Sequence, residues 1–407
     1  MYDAIIIGAG ASGLVCAINL ARDGKSVAII EAQKRGGKKI LASGNGHCNI
    51  ANANISTKNF YGKNSKLIEE IVKVKPAQIV EFFNTIGLEV VAKDDGKMYP
   101  KSMQASIVLE LLEAEIDRLN IDKFYEVKEL NIKRGFEVSF NNSTIKANNL
   151  IIATGSQAAP QLGGNSSGFE IAKNFKHTIV PPIPALVPLI SSHPICKALA
   201  GVKVKAKVRL FSNKKELSSQ IGDFLFAKYG VSGLTVLDLS LKANLSLQKS
   251  RCHIVVDFFS DYSKQTLLEY LKSRIDKKRD LKLHLWLGAI INSKLSEYML
   301  KELNLHKKSE AKLNTKILKE IVEHFKNYTI EISGSREFKY AEVAYGGVDS
   351  REIDNKTMQS KKEKNLYFIG EVVDIVGDRG GYNFHFAWSS AILCSSYCLG
   401  VPKSCVQ

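Results

Sequence analysis

The first thirteen residues constrain the fold more than any other part of the chain. An apolar run, Ala4-Ile5-Ile6-Ile7, leads straight into Gly8-Ala9-Gly10-Ala11-Ser12-Gly13. A second apolar run, Val27-Ala28-Ile29-Ile30, ends at Glu31. Strand, glycine turn, helix, strand and acid follow one another in the order of a dinucleotide-binding βαβ unit. The glycines permit a tight turn, close approach of backbone to a pyrophosphate, and close helix–strand packing. A helix over Ala11 to Asp23 points its amino terminus, with its free N–H groups, at the phosphates. Glu31 lies 18 residues past Gly13, near the spacing of an acid that grips a ribose hydroxyl.

Length and composition bound the rest. With 407 residues, 45% of them hydrophobic, the chain can build a large core in two or three domains. No stretch approaches the ~20 apolar residues that cross a membrane. The amino terminus reads as a folded strand containing Asp3, not as a basic leader with a cleavable apolar segment. Seven cysteines, Cys16, Cys48, Cys196, Cys252, Cys394, Cys398 and Cys405, are scattered without a CxxC pair. Neither a disulfide framework nor a zinc site is indicated, and a reducing cytoplasm fits this usage. We expect no metal and no membrane association.

The net charge of +16 is concentrated. Residues 201–330 hold 25 Lys and Arg against 13 Asp and Glu, a net +12. Lysine and arginine contacts to phosphate supply most non-specific nucleic-acid affinity, so this segment points to a polyanionic partner. A general lysine bias would not gather the excess in one segment.

Further along, helices are predicted near 65–73 and 76–86, with Pro76 at a first helical position, and over Met103 to Leu119. Residues 124–147 read as short strands with Asn141-Asn142 as a turn, and Leu150 to Ala153 as a separate buried strand. Pro181-Pro182-Ile183-Pro184 reads as a rigid extended connector and a domain boundary. Val202 to Phe211 alternates lysine with apolar residues, a half-exposed strand. Residues 219–260 read as further strands and 263–326 as several helices. The predicted domains are 1–187 with 340–407, then 188–262 with 327–339, and a helical piece over 263–326.

Two more blocks stand out. One is Gly36-Gly37-Lys38-Lys39, continuing through Ser43-Gly44-Asn45-Gly46-His47-Cys48-Asn49. The other is Leu366 to Asp374, followed by Gly380-Gly381-Tyr382-Asn383 and Ala387-Trp388-Ser389-Ser390. With the amino-terminal fingerprint, with Gly222 to Phe226 leading to Gly230-Val231-Ser232-Gly233, and with Gly346-Gly347-Val348, they run in order from end to end. Together they resemble the BaiN/YhiN-type (HI0933-like, aminoacetone-oxidase-like) NAD(P)/FAD-dependent oxidoreductases. The chain departs from the family pattern at His47, where arginine is usual, at Ala227-Lys228 in place of Thr-His, at Asp378-Arg379, and at His385 in place of Gln. The loop at Gly163-Gly164 is shortened. These changes leave the FAD motifs intact and fall where a substrate would approach.

The resemblance implies an α/β fold: a Rossmann-like, three-layer, glutathione-reductase-like FAD-binding domain. A β-barrel-like domain carrying a helical subdomain is inserted into it. It also implies FAD as cofactor, with NAD(P)H as electron donor binding without a Rossmann domain of its own. The residues expected to hold FAD are Gly8, Gly10, Ala11, Ser12, Gly13, Glu31, Lys38, Lys39, Ser43, Gly44, Asn49, Thr154, Gly155, Gly370, Glu371, Asp374, Gly380, Gly381, Tyr382 and Asn383. Thr154-Gly155 passes the nucleotide without a bulky side chain, and Asp374 suits ribityl or ribose hydroxyls. Amide groups at Gly380-Gly381 suit the flavin pyrimidine edge, where negative charge gathers on reduction.

The reaction implied by the resemblance is reduction of an activated C=C bond, either uridine to dihydrouridine in large-subunit (23S) ribosomal RNA or a steroid-type enone. An amine oxidase using the same site is a further alternative. Such a reduction needs a proton donor. Cys48 and His47 lead, with His385 and Tyr382 as alternatives; Cys48 also suits a packed, inert thiol. Ribosomal RNA would meet the basic 201–330 region, whereas a small substrate would need an apolar pocket.

Overall fold

The two amino-terminal apolar runs become neighbouring strands of one parallel sheet in a computed structural model, which describes residues 1–276 and 278–398. Lys277 and Cys405 lie outside the described residues. The chain divides into two units, Met1–Ile183 with Val343–Gln407, and Pro184–Glu342.

In the first unit the parallel strands run in the order Asp122–Phe124, Val27–Ile30, Tyr2–Ile7, Ser143–Ile152 and Leu366–Phe368. Residues 4–7 are buried without alternation, as expected for a strand covered on both faces. The fold places the helices Ala11–Arg22 and Tyr382–Cys398 against each other. The latter is buried on most sides, and its Trp388 indole donates to the Ile50 carbonyl at 3.0 Å. Strand order reverses between Tyr2–Ile7 and Ser143–Ile152, so their carboxyl ends open the crevice where a Rossmann fold binds nucleotide.

One strand runs longer than expected. Residues 143–152 form one long strand rather than two short ones. Its first half pairs with Glu137–Phe140 and its second half with Tyr2–Ile7. Lys146, Asn148 and Asn149 break the apolar pattern, but backbone pairing continues through them. The turn before it is correctly placed: Asn141 and Asn142 have φ of 44° and 64°, the positive pair of a two-residue hairpin. The proline-rich run is a strand, Ile179–Ala185, paired with Val343–Val348.

The second unit is built on an antiparallel sheet. Its order is Tyr328–Ile332, Cys252–Asp257, Lys203–Ser212, Lys215–Ala227, Gly230–Ser232, Leu189–Ile190 and Gly334–Ser335. Ala206, Val208 and Leu210 face its core, while Lys203 and Lys205 are exposed. Residues 234–247, read as strand, are a helix. Leu, Ala and Ser in that segment suit a helix, and Gly233, at φ 94°, lets the chain turn into it. Four more helices, Lys264–Ser273, Leu283–Gly288, Ser293–Glu302 and Thr315–Lys326, pack around Trp286 and Phe325.

Candidate active site

The crevice in the first unit is shaped by positions where only hydrogen fits. A Cβ on Gly8, whose φ is 111°, would lie 2.5 Å from the Ala153 carbonyl oxygen. One on Gly13 would lie 2.0 Å from the Gly8 carbonyl oxygen. The helix Ala11–Arg22 thus sits hard against its own turn, and the turn against Ala153-Thr154. Gly10 differs. It precedes the helix without a side-chain cap, and a Cβ there would find its nearest neighbour, again the Ala153 oxygen, 4.0 Å away. Space and free helix N–H groups therefore coincide at Gly10, an arrangement that suits an anion.

Glu31 closes one side. Its two oxygens accept the Ala9 and Gln33 N–H groups at 2.8 and 2.9 Å. A carboxylate has about four acceptor positions, so the same group retains capacity for hydroxyls. Gly36 and Gly37 were visible in the sequence but not singled out for the site. The Gly37 N–H donates to the Ala9 carbonyl at 2.9 Å, and a Cβ on Gly36 would meet that oxygen at 2.6 Å. The following lysines diverge. Lys38 donates to Gln33 Oε1 at 2.7 Å, whereas Lys39 pairs with Glu371 at 2.7 Å. Glu371 in turn accepts the Ala344 N–H at 2.9 Å.

The carboxy-terminal block reaches the same crevice. A Cβ on Gly370, at φ 70°, would lie 2.5 Å from Ser12 Oγ, and the Gly370 N–H donates to Ser390 Oγ. A Cβ on Gly381 would lie 2.5 Å from the Ala51 carbonyl oxygen and 2.8 Å from Asn49 Oδ1. Asn52 Nδ2 donates to the Gly380 carbonyl at 2.9 Å. Asn383 folds back on its own turn, accepting the Gly377 N–H and donating to the Gly377 and Asp378 carbonyls. Tyr382 is buried edge-on against Phe60, and burial raises its phenol pKa.

Several buried oxygens in this unit have no protein partner: Asn49 Oδ1, Thr154 Oγ1, Ser350 Oγ and Asp374 Oδ2. Asp374 accepts the Ser350 N–H through its other oxygen at 2.8 Å. Burial raises its carboxyl pKa to about 6, against the opposing pull of the Ser350 N–H. Buried acceptors left unpaired are costly, and a hydroxyl- and amide-bearing ligand such as FAD would satisfy them. Gly155, at φ 73°, faces open space.

The candidate proton donors separate. Cys48, at φ 54°, is fully buried behind a loop in which its N–H donates to the Ser43 carbonyl. Ser43 Oγ itself donates to the Ile40 carbonyl, and Gly44 adopts φ 56° beside the Asn49 amide. Burial pushes the Cys48 thiol pKa up to about 12. His47 is on the exposed side, its Nδ1 2.7 Å from the Met103 carbonyl. His385 is fully buried. It lies against the backbone of Ile71 and Val74, at the end of the helix Ser65–Lys73, and burial lowers its pKa to about 4. Asn52 and Ser350 carried no signal in the sequence, because no motif marks them.

The family described as "HI0933-like protein Rossmann domain" matches residues 2–397. The 3-dehydro-bile acid delta(4,6)-reductase of Clostridium scindens is 32% identical over 95% of this chain and 97% of its own. The ribosomal RNA dihydrouridine synthase of Haemophilus influenzae is 29% identical over 96% of this chain and 97% of its own. That of Escherichia coli is 28% identical over 99% of both. Among solved structures, the 3-ketosteroid delta1-dehydrogenase of Sterolibacterium denitrificans shares the fold, with TM-score 0.51, 11% identity, and 98% of this chain and 99% of that chain covered. A Rossmann crevice shaped by glycines at both ends of the chain, matched by the family along its length, places this protein among the HI0933-like FAD-dependent oxidoreductases.

Proposed function

We propose that the chain reduces a uridine in large-subunit (23S) ribosomal RNA to dihydrouridine, with NAD(P)H as the electron source. The observation that carries this reading is the net +12 of residues 201–330. A polyanion would neutralise that excess, whereas a small neutral substrate has no use for it. The relatives named as ribosomal RNA dihydrouridine synthases, 29% and 28% identical along nearly the whole chain, support the same choice.

In this reading FAD lies across the crevice. Gly8, Gly10, Ala11, Ser12 and Gly13 would hold its pyrophosphate, and Glu31 would hold a ribose. Thr154, Gly155, Gly370 and Asp374 border the chain of hydroxyls. Asn49, Gly380 and Gly381 border the ring, with Ser43, Gly44, Tyr382 and Asn383 shaping the loops beside it. Lys38, Lys39 and Glu371 set the charge along one wall. When bound, FAD supplies the hydride transfer that such a reduction requires.

The protein then supplies a proton to the neighbouring carbon. Cys48 is our choice of donor. Its raised pKa keeps it a thiol at neutral pH, and its loop is adjacent to Asn49 and Gly381. Asn49 Oδ1, unpaired within the protein, suits an N–H of the ring or substrate. The buried His385 is neutral at pH 7 and serves the core.

A second reading has its own support. The relative at 32% identity is named as a bile acid reductase, so a steroid-type enone is the alternative substrate for the same chemistry. Nucleoside mass spectrometry of ribosomal RNA, with and without the gene, separates the two. We expect one dihydrouridine to disappear from the large-subunit RNA of the deletion strain. An unchanged RNA together with enone turnover by the purified protein would reverse the assignment.

A further inference from the structure

We propose that Cys398 is a peroxide-reactive thiol, with Cys394 as its resolving partner, forming a redox-modification site on the last helix. The site stands on a three-thiol cluster remote in sequence from the flavin motifs' own cysteine, Cys48. Cys394 is buried on the helix Tyr382–Cys398, one turn before Cys398, and that helix packs against the one carrying Cys16. Cys16 lies on the helix that begins at the glycine turn. The same two helices are tied by Asn19 Nδ2 donating to Ser395 Oγ at 3.2 Å.

Access is graded across the cluster. Cys16 and Cys394 are fully buried, while Cys398 is partly exposed. Cys398 lines a cleft with Asp3, Ala4, Leu20, Lys25 and Asn149. Its pKa is held below the ordinary value by the neighbouring Cys394 thiol first, against the opposing effect of burial, and then by Tyr367 and the charge of Lys25. At Cys196 and Cys252 burial dominates and raises the pKa. Low pKa, access and an adjacent second thiol are the features of a redox-sensing cysteine.

The chemistry balances with hydrogen peroxide as oxidant. The Cys398 thiolate attacks one peroxide oxygen, an S–O bond forms, the O–O bond breaks, and the departing hydroxide takes a proton to leave as water. Cys394 sulfur then attacks the sulfenic sulfur. The S–S bond forms, the S–O bond breaks, and hydroxide leaves as water with the Cys394 proton. Two thiols and one peroxide give one disulfide and two waters. Residues four apart on a helix hold their Cβ atoms about 5–6 Å apart, whereas a disulfide needs about 3.5–4.5 Å. Closure therefore opens the final helical turn.

The test treats the full-length protein with equimolar hydrogen peroxide, alkylates the remaining thiols and digests with trypsin. Cys394 and Cys398 share the peptide from Gly380 to Lys403, and Cys16 lies in the peptide from Met1 to Arg22. We expect the Gly380–Lys403 peptide to lose two hydrogens and resist alkylation. Cys398 should react at least about tenfold faster than Cys196 or Cys252, in line with its thiolate character. Cys394→Ser should leave Cys398 as a sulfenic acid that dimedone captures, and Cys398→Ser should leave Cys394 freely alkylated after denaturation. Equal reactivity of Cys398 and Cys252, or a disulfide joining the two peptides in Cys398→Ser, would overturn the proposal.

Discussion

Lys39 and Glu371, 332 residues apart in sequence, form a 2.7 Å ion pair that ties the second glycine-rich block to the carboxy-terminal block. The pair is mostly shielded from solvent, and Glu371 also accepts the Ala344 N–H. Removing the carboxylate strands both an ammonium and an amide, while removing the lysine strands only the carboxylate, which keeps its amide donor. We expect Glu371→Ala to cost about 1.5–3 kcal/mol and Lys39→Ala less. Urea unfolding of the two variants measures the order, and a larger loss in Lys39→Ala would contradict it.

Gly10 and Gly13 separate binding from folding. A side chain at Gly13 collides with the turn, whereas one at Gly10 enters open space. Gly10→Val should therefore yield a folded, colourless protein with nearly unchanged apo Tm. Gly13→Val should fail to accumulate as folded protein. Flavin absorbance and circular dichroism of the purified variants check both. Retention of FAD by Gly10→Val would show that the pyrophosphate lies elsewhere.

Asp374 and His385 give opposite pH dependences. Asp374 has a folded pKa of about 6 against a reference of 3.8, so the folded state holds its proton more tightly. Its contribution is fully present below pH 3.8 and is lost as pH rises through about 6. His385 has a folded pKa of about 4 against 6.5. Its contribution is present above pH 6.5 and is lost as pH falls through about 4. Each is worth about 3 kcal/mol at most, from roughly 1.4 kcal/mol per unit. Between pH 4 and 6 they oppose each other in the wild type. Asp374→Asn should steepen acid destabilisation, and His385→Gln should reduce it. Parallel unfolding curves for all three proteins from pH 4 to 7 would remove both assignments.

Asp374 also connects that titration to the cofactor. Hydroxyl donors from a bound ligand stabilise the carboxylate over the acid. FAD affinity of the apo protein should therefore rise with pH through about 6, and Asp374→Asn should flatten the rise. Fluorescence titration of the apo protein at several pH values measures it.

Cys48→Ala should retain FAD and slow product formation by roughly 10²–10⁴-fold, the usual scale of general acid catalysis. With its thiol pKa at about 12, Cys48 stays protonated throughout the neutral range. The pH–rate profile should thus show no alkaline limb near the ordinary thiol pKa. Stopped-flow oxidation of reduced enzyme by substrate isolates the step, and an unimpaired variant would shift the role to Tyr382 or to solvent.

The amino-terminal βαβ unit was legible in the sequence because its causes are local. Four apolar residues, a turn that needs glycine at Gly8 and Gly13, and an acid after the next strand each declare themselves within a few positions. The Asn141-Asn142 turn and the helix beginning at Pro76 are of the same kind. Tertiary structure decided the rest, because its causes are spread over hundreds of residues. Nothing near Lys39 announces Glu371, and no pattern marks Asn52 or Ser350 as parts of the crevice. Burial turned His385 into a core residue and Cys48 into a high-pKa thiol, and burial depends on what packs from elsewhere. Residues 234–247 became a helix although the stretches around them are strands, because they cover a sheet assembled from distant segments. Local sterics specify the turn that meets the phosphates, and long-range packing specifies which side chains surround what is bound there.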